Sequence, residues 1–180
     1  SGAQKLGVDK LKPFFTRGVL IDAAKYLNNG LPLAGGTAIT AAQISQILMA
    51  AQVRNPLGPG DVLVLRTGGE TAQFGHGGLA QSAAQLLYDA GVSLVVTDAP
   101  SIHPKADSGA RLTLANLSGT AANTDPEPIL SYLITNGICC IVQAELTWLA
   151  QQPRAEFAFH YKALNLSGGA GVFAAPIAIL

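Results

Sequence analysis

The three histidines are the residues of this sequence best suited to proton transfer or metal binding, and they stand far apart. His76, His103 and His160 form none of the short spacings, such as HxxxH, that place several ligands around one ion. We therefore expect no metal site built from these histidines alone.

The best local acid/base pair is Asp98 with His103. Asp98 follows the apolar run 94–96, which is typical of a strand, and ligands of open α/β sheets collect at the carboxyl ends of strands. Asp98 could instead cap the turn into Ala99 and Pro100, a structural role that needs no catalytic function. His76 lies in the sequence FGHGG before a predicted helix, where backbone amides could hold an anion, although a loop histidine beside glycines is the plainer interpretation.

No residue has the sequence setting of a covalent nucleophile. Cys139 and Cys140, the two cysteines, are neighbours in an apolar run, where a bridge between them would be strained, so we interpret them as a buried strand pair. The serines include no GxSxG motif, and the glycine-rich run 167–171 is predicted to be a turn. We therefore predict no catalytic residue.

The elements that would position these side chains alternate between helix and strand, which predicts an α/β fold. Thr40 and Gln43 form a capping-box pattern, and the apolar residues after them recur at helical spacing. Residues 100–128 read as a long, partly irregular excursion of the kind that often carries function. The predicted elements are a strand at 18–23, helices at 41–53, 78–90 and 128–136, and strands at 62–66, 92–97, 138–142 and 156–166.

Composition narrows the class of protein. The 180 residues are 49% hydrophobic and 12% charged, which predicts one soluble domain over 1–180 with an arm at 1–15. Eleven basic and eleven acidic side chains cancel, so we expect no nucleic-acid partner, and no apolar run approaches the ~20 residues that a membrane span needs. Glycosylation sequons at Asn116 and Asn165 are too weak a signal to assign a compartment.

Several segments, taken in order, resemble a known family over nearly the whole chain. They are LGVDKLKPFFTRGVLID at 6–22, ITAAQI at 39–44, GPGDVLVLRTG at 58–68, the run 91–98, NGI at 136–138 and ALNLSGGAG at 163–171. Together they resemble the cyclase family of metal-dependent hydrolases, which includes bacterial kynurenine formamidases and isatin hydrolase. The resemblance implies a swivelling β/β/α-type fold, a mixed sheet barrel with outer helices, usually as a homo-oligomer, and hydrolysis of an amide or lactone by a metal-activated water.

The resemblance also implies where metal ligands should stand. Most come from an upstream HxGTHxDxP-type motif, and this chain opens after that point of the family pattern. A His at the start of the third helix and a Glu after the next strand correspond here to Ile129 and Val142, which cannot donate a lone pair to a metal. Glu127, Gln143 or Glu145 could supply one ligand if the correspondence shifts by one or two residues.

Three hypotheses follow. The leading one is a catalytically degenerate cyclase-family domain with no cofactor, not an enzyme by itself, which binds or assembles as a homo-oligomer or with a partner subunit. The alternative is an active zinc- or manganese-dependent amide or lactone hydrolase whose metal-binding segment lies on another segment or chain. The third is a domain that binds a small aromatic ligand in a vestigial pocket around His76, Asp98 and His103.

Overall fold

A mixed β-sheet lies at the centre of the computed structural model, which describes residues 7–71, 75–105 and 127–180. The excursion predicted at 100–128 and the sequon at Asn116 fall largely outside these ranges. The strands are β1 (Phe14–Asp22), β2 (Ala38–Ile39), β3 (Val62–Arg66), β4 (Gly78–Leu79), β5 (Leu94–Thr97), β6 (Cys139–Ile141), β7 (Glu156–Tyr161) and β8 (Ile177–Ile179).

The main sheet has six strands in the order β6-β5-β3-β1-β7-β8, and β2 pairs with β4 in a separate ribbon. Strands β1, β3, β5 and β6 run parallel, whereas β7 is antiparallel to both β1 and β8. The predicted mixed α/β fold is confirmed. The predicted barrel is not, because within the described ranges β6 and β8 are the two ends of the sheet and do not pair with each other.

The helices are α1 (Ala23–Asn28), α2 (Ala41–Ala50), α3 (Gln81–Ala90), α4 (Pro128–Thr135) and α5 (Thr147–Ala150). The capping box that begins α2 is confirmed, since Thr40 and Gln43 each bond the other's backbone amide. Helix α3 begins later than predicted because Gly78 and Leu79 form β4 instead. None of the helices in the described ranges is long and apolar enough to cross a membrane.

The two faces of the main sheet are covered differently. Helices α2, α3 and α4 pack on one face, where Ile44, Ile47, Leu87 and Leu133 join the buried residues of β1, β3 and β5 in one apolar cluster. A second cluster on the opposite face includes Phe157 and is covered by the short helix α5 and by coil. The sheet therefore has a helical face and a second face without a long helix.

An ionic cluster fixes the strand β1 to its neighbours. The Arg17 guanidinium donates to both carboxylate oxygens of Asp61 before β3 and to Glu156 at the start of β7. The next residue, Gly18, is required by packing, since a Cβ atom there would lie 2.3 Å from the Phe157 ring. The predicted arm is described from residue 7, and Val8 N–H donates to the Gly169 carbonyl at 2.9 Å.

Candidate functional site

Asp98 lies at the carboxyl end of β5, as predicted, and its carboxylate holds the chain that leaves β3. It is 1% exposed and accepts hydrogen bonds from the Thr67 amide at 2.9 Å, the Thr67 hydroxyl at 2.8 Å and the Gly68 amide at 2.7 Å. These bonds use both carboxylate oxygens. The geometry therefore favours a structural role for Asp98 in joining the ends of two parallel strands.

His103 belongs to a neighbouring polar group. The Ser101 hydroxyl donates to Glu127 at 2.9 Å and accepts from the His103 backbone amide at 3.2 Å. The Nδ1 atom of His103 is buried, and the described ranges offer it no hydrogen-bond partner. No hydrogen bond within those ranges joins His103 to Asp98, so the predicted acid/base pair remains a prediction without a direct contact.

His76 is a buried bridge residue between two chain segments. It is 3% exposed, and its backbone exchanges hydrogen bonds with Lys105 at 2.9 and 3.0 Å. Its Nδ1 lies 3.0 Å from the Gly77 carbonyl oxygen, an acceptor, so Nδ1 must carry the proton. The third histidine, His160, lies on β7 and makes an edge contact with the exposed ring of Phe15.

The two positions of the expected family ligands lie in different surroundings. Ile129, in the first turn of α4, is 5% exposed and belongs to the core under the helices. Val142 follows β6 and is 37% exposed, so our prediction that it lies in a buried strand is wrong. Strand β6 is an edge strand that ends at Ile141, and this leaves the next side chain open to solvent.

The three neighbours named as replacement ligands are also placed. Glu127 precedes α4 and accepts a hydrogen bond from the Ser101 hydroxyl. The backbone N–H of Gln143 donates to the Ala99 carbonyl at 3.0 Å. Glu145 is exposed, and hydrogen bonds from Thr147 lower the pKa of its carboxyl. Across the described ranges, no group of three His, Cys, Asp or Glu side chains could hold a metal ion. The donors in that part of the chain therefore do not fit the divalent metal that the sequence resemblance implies.

The cysteines are less buried than predicted. Both are half-buried on β6, and Cys140 is on the helical side, packed against that core, while Cys139 packs on the opposite face. Burial raises the pKa of the Cys139 thiol and raises that of Cys140 to about 12. Both thiols are therefore protonated at neutral pH, which argues against nucleophilic roles.

A large groove opens on the sheet face away from α2, α3 and α4. Its volume is about 1260 Å³, and its floor includes Val64, Val96, Phe157 and Phe159. Tyr161 also lines it and is 5% exposed. The groove is not predicted from the sequence, although the alternation in EFAFHY indicates aromatic side chains on one face of β7.

Comparison with known proteins identifies the family. A family model described as "Putative cyclase" matches residues 2–104, more than half of the chain. A search of curated proteins finds no significant match.

Solved structures match over nearly the full length of this chain. A novel cyclase is 22% identical with a TM-score of 0.70, and the match covers 97% of this chain and 57% of that one. An isatin hydrolase bound to thioisatinate is 16% identical with a TM-score of 0.66, covering 99% and 64%. Isatin hydrolase A from Ralstonia solanacearum is 16% identical with a TM-score of 0.63, covering 96% and 63%. At these identities the likeness shows the fold, and the chain spans about three fifths of the length of each structure.

Proposed function

Since the chain belongs to the Putative cyclase family, we propose that it is a cyclase-family domain that does not hydrolyse amides or lactones by itself. In this proposal the domain works by binding or by assembly with further polypeptide. The family resemblance supplies the fold, and the side chains of this sequence decide what that fold can do.

The observation that carries the proposal is the use of polar groups at the carboxyl edge of the sheet. Both carboxylate oxygens of Asp98 accept hydrogen bonds from the chain after β3, and the Ser101 hydroxyl donates to Glu127. Ile129 packs in the core at a position where the family resemblance implies a metal ligand. The edge therefore holds backbone in place, and its donors are poorly disposed to bind a divalent cation.

The experiment is a paired measurement of metal content and turnover. The purified chain is loaded with zinc or manganese, dialysed, analysed for bound metal, and assayed with isatin and with an aryl formamide. We expect far less than one metal ion per chain and no turnover above that of the free metal. About one ion per chain together with metal-dependent hydrolysis would overturn the proposal.

The second candidate function is a metal-dependent amide or lactone hydrolase completed by another segment or chain. It is favoured by the buried Nδ1 of His103, which the described ranges leave without a partner, and by Glu127 bonded to Ser101 next to it. If this candidate is correct, zinc should raise the melting temperature, and His103→Ala should abolish that rise. His160→Ala, on β7, is the matched control, because His160 lies outside this edge group.

Assembly is the other part of the proposal. Parallel strands are normally covered on both faces, whereas the second face of this sheet carries only the short helix α5 and coil in the described ranges. A homo-oligomer or a partner subunit could cover such a face. A monodisperse monomer at high micromolar concentration that also captures no partner in a pull-down would contradict this part.

A further inference from the structure

We propose that the outer edge of β8 joins a second copy of this chain, so that two β8 strands pair antiparallel across a twofold axis and the two sheets become continuous. The inference rests on the assembly part of the proposed function and names both the partner and the contact surface. That surface is the backbone edge of the sheet rather than the groove on its second face.

The edge formed by β8 is open and carries no charge. Strand β8 is the last strand of the main sheet and, within the described ranges, pairs only with β7. An edge strand presents unpaired backbone N–H and C=O groups, and proteins commonly protect such edges with charged side chains. Residues 163–180 include no Asp, Glu, Lys, Arg or His. The edge therefore lacks the usual electrostatic protection against pairing with another strand.

The side chains of β8 divide between the two sides of the sheet. Ala178 pairs with Phe159 and packs on the second face, so Ile177 and Ile179 lie on the same side as the helices. They are 54% and 52% exposed. The apolar cluster under α2, α3 and α4 contains no described residue of β7 or β8, so the helices leave this part of the sheet uncovered.

The sequence of β8 matches a second copy of itself. Ile177, Ala178 and Ile179 read the same in both directions, so a twofold axis through Ala178 sets Ile177 of each copy opposite Ile179 of the other. Side chains that face each other across antiparallel strands stabilise the pairing when both are apolar and β-branched. The chain has a formal net charge of zero, so two copies approach each other without net repulsion.

Residues next to β8 determine how strong this contact is. Phe15, His160 and Ile177 form one lateral row across β1, β7 and β8, and Phe15 is 75% exposed, so the row extends the apolar surface beside the seam. Pro176 has no N–H to donate, so the paired stretch begins at Ile177 and stays short. Because stable interfaces bury roughly 1200–2000 Å², a seam this short predicts a weak dimer that forms at high micromolar concentration.

The test is sedimentation velocity over a concentration series, with charged substitutions on β8. Ile177→Lys alone and Ile179→Glu alone should each weaken dimerisation at least about tenfold, because each places a charge without a counter-ion in an apolar seam. The double variant with both substitutions should regain most of the lost affinity, since the antiparallel register sets position 177 of one copy opposite position 179 of the other. Ile177→Lys combined with Ile179→Lys should regain none.

Control variants separate this edge from other surfaces. Met49→Lys makes the same kind of change at a 71% exposed residue of α2 and should leave dimerisation unchanged. Because Ile177 and Ile179 are more than half exposed, the far-UV circular dichroism of their variants should match that of the parent chain. If a charged variant fails to fold, Ile179→Thr, which keeps the β-branched shape, should still weaken dimerisation.

Three results would each overturn the inference: a parent chain that stays monomeric at high micromolar concentration, a dimer that the β8 variants do not weaken, or a charge pair that fails to restore the dimer. A dimer insensitive to β8 leaves the assembly part of the proposed function standing, and so does a monomer that captures a different protein. Metal-dependent hydrolysis by the purified chain would overturn the proposed function and leave the result for β8 unchanged.

Discussion

Replacing Asp98 tests whether this carboxylate holds the fold or takes part in chemistry. Asp98→Ala would remove the acceptor from three donors, the amide and hydroxyl of Thr67 and the amide of Gly68. Thr67 is fully buried, and each buried donor left without a partner costs about 1–3 kcal/mol. Because the turn can relax and admit water, we expect a total loss of roughly 3–5 kcal/mol, a large fraction of a typical domain's roughly 5–15 kcal/mol.

Asp98→Asn should give a smaller loss. The one remaining side-chain oxygen still accepts from the Thr67 or the Gly68 amide. The NH₂ group that replaces the other oxygen is a donor and faces a second N–H donor, so that hydrogen bond is lost. The free energy of unfolding is measured by urea denaturation followed by far-UV circular dichroism. The matched control is Asp89→Ala, which removes an exposed carboxylate on α3 and should change stability by less than about 0.5 kcal/mol.

The reasoning is refuted if Asp98→Ala unfolds within about 1 kcal/mol of the parent chain, because the hydrogen bonds would then carry little energy. If that stable variant also lost binding of a small aromatic ligand that the parent binds, the predicted pair of Asp98 with His103 would become the better interpretation. A large loss in Asp98→Ala with a smaller one in Asp98→Asn would support the structural role.

Three further predictions concern core packing, a close backbone contact and thiol reactivity. Ile129→His should lower the free energy of unfolding by about 2 kcal/mol through lost apolar burial, whereas Val142→Glu, at an exposed site, should stay within about 0.5 kcal/mol in urea denaturation. Gly18→Ala should cost about 1–3 kcal/mol because its Cβ atom would meet the Phe157 ring, and Phe157→Leu should recover part of that loss in a double-mutant cycle. Burial raises the pKa of Cys140 to about 12, so its thiolate fraction should rise about tenfold per pH unit below that value. Iodoacetamide labelling of Cys140, followed by mass spectrometry, should therefore be slow at pH 8 and much faster at pH 10. Equal labelling rates at the two pH values would contradict this raised pKa.

Sequence analysis predicted best those elements whose signals are local. Helix α2 carries both a capping box and regular apolar spacing, and the structure confirms both its start and its type. Strand β3 is a continuous apolar run flanked by turn residues, and its first four residues are buried as expected for a strand covered on both sides.

The features that sequence analysis missed depend on contacts between distant segments. Strands β2 and β4 are two residues long and exist because Ala38 and Ile39 meet Gly78 and Leu79, a pairing that no local pattern encodes. The exposure of Val142 depends on β6 being an edge strand, which is a property of the strand order. Hydrophobicity alone gives Ile129 and Val142 the same expected environment, and the fold separates them.

The position of the groove has a physical cause in the covering of the sheet. Helices α2, α3 and α4 all pack on one face, so the opposite face relies on short segments for cover. A mostly parallel floor with apolar side chains such as Val64, Val96 and Phe159 then remains partly open. The carboxyl edge differs because the Asp98 carboxylate already accepts hydrogen bonds from Thr67 there, although the buried Nδ1 of His103 has no partner among the described residues. A ligand at Asp98 would have to displace those hydrogen bonds, whereas a molecule or chain segment seated in the groove would gain mainly by burying apolar side chains.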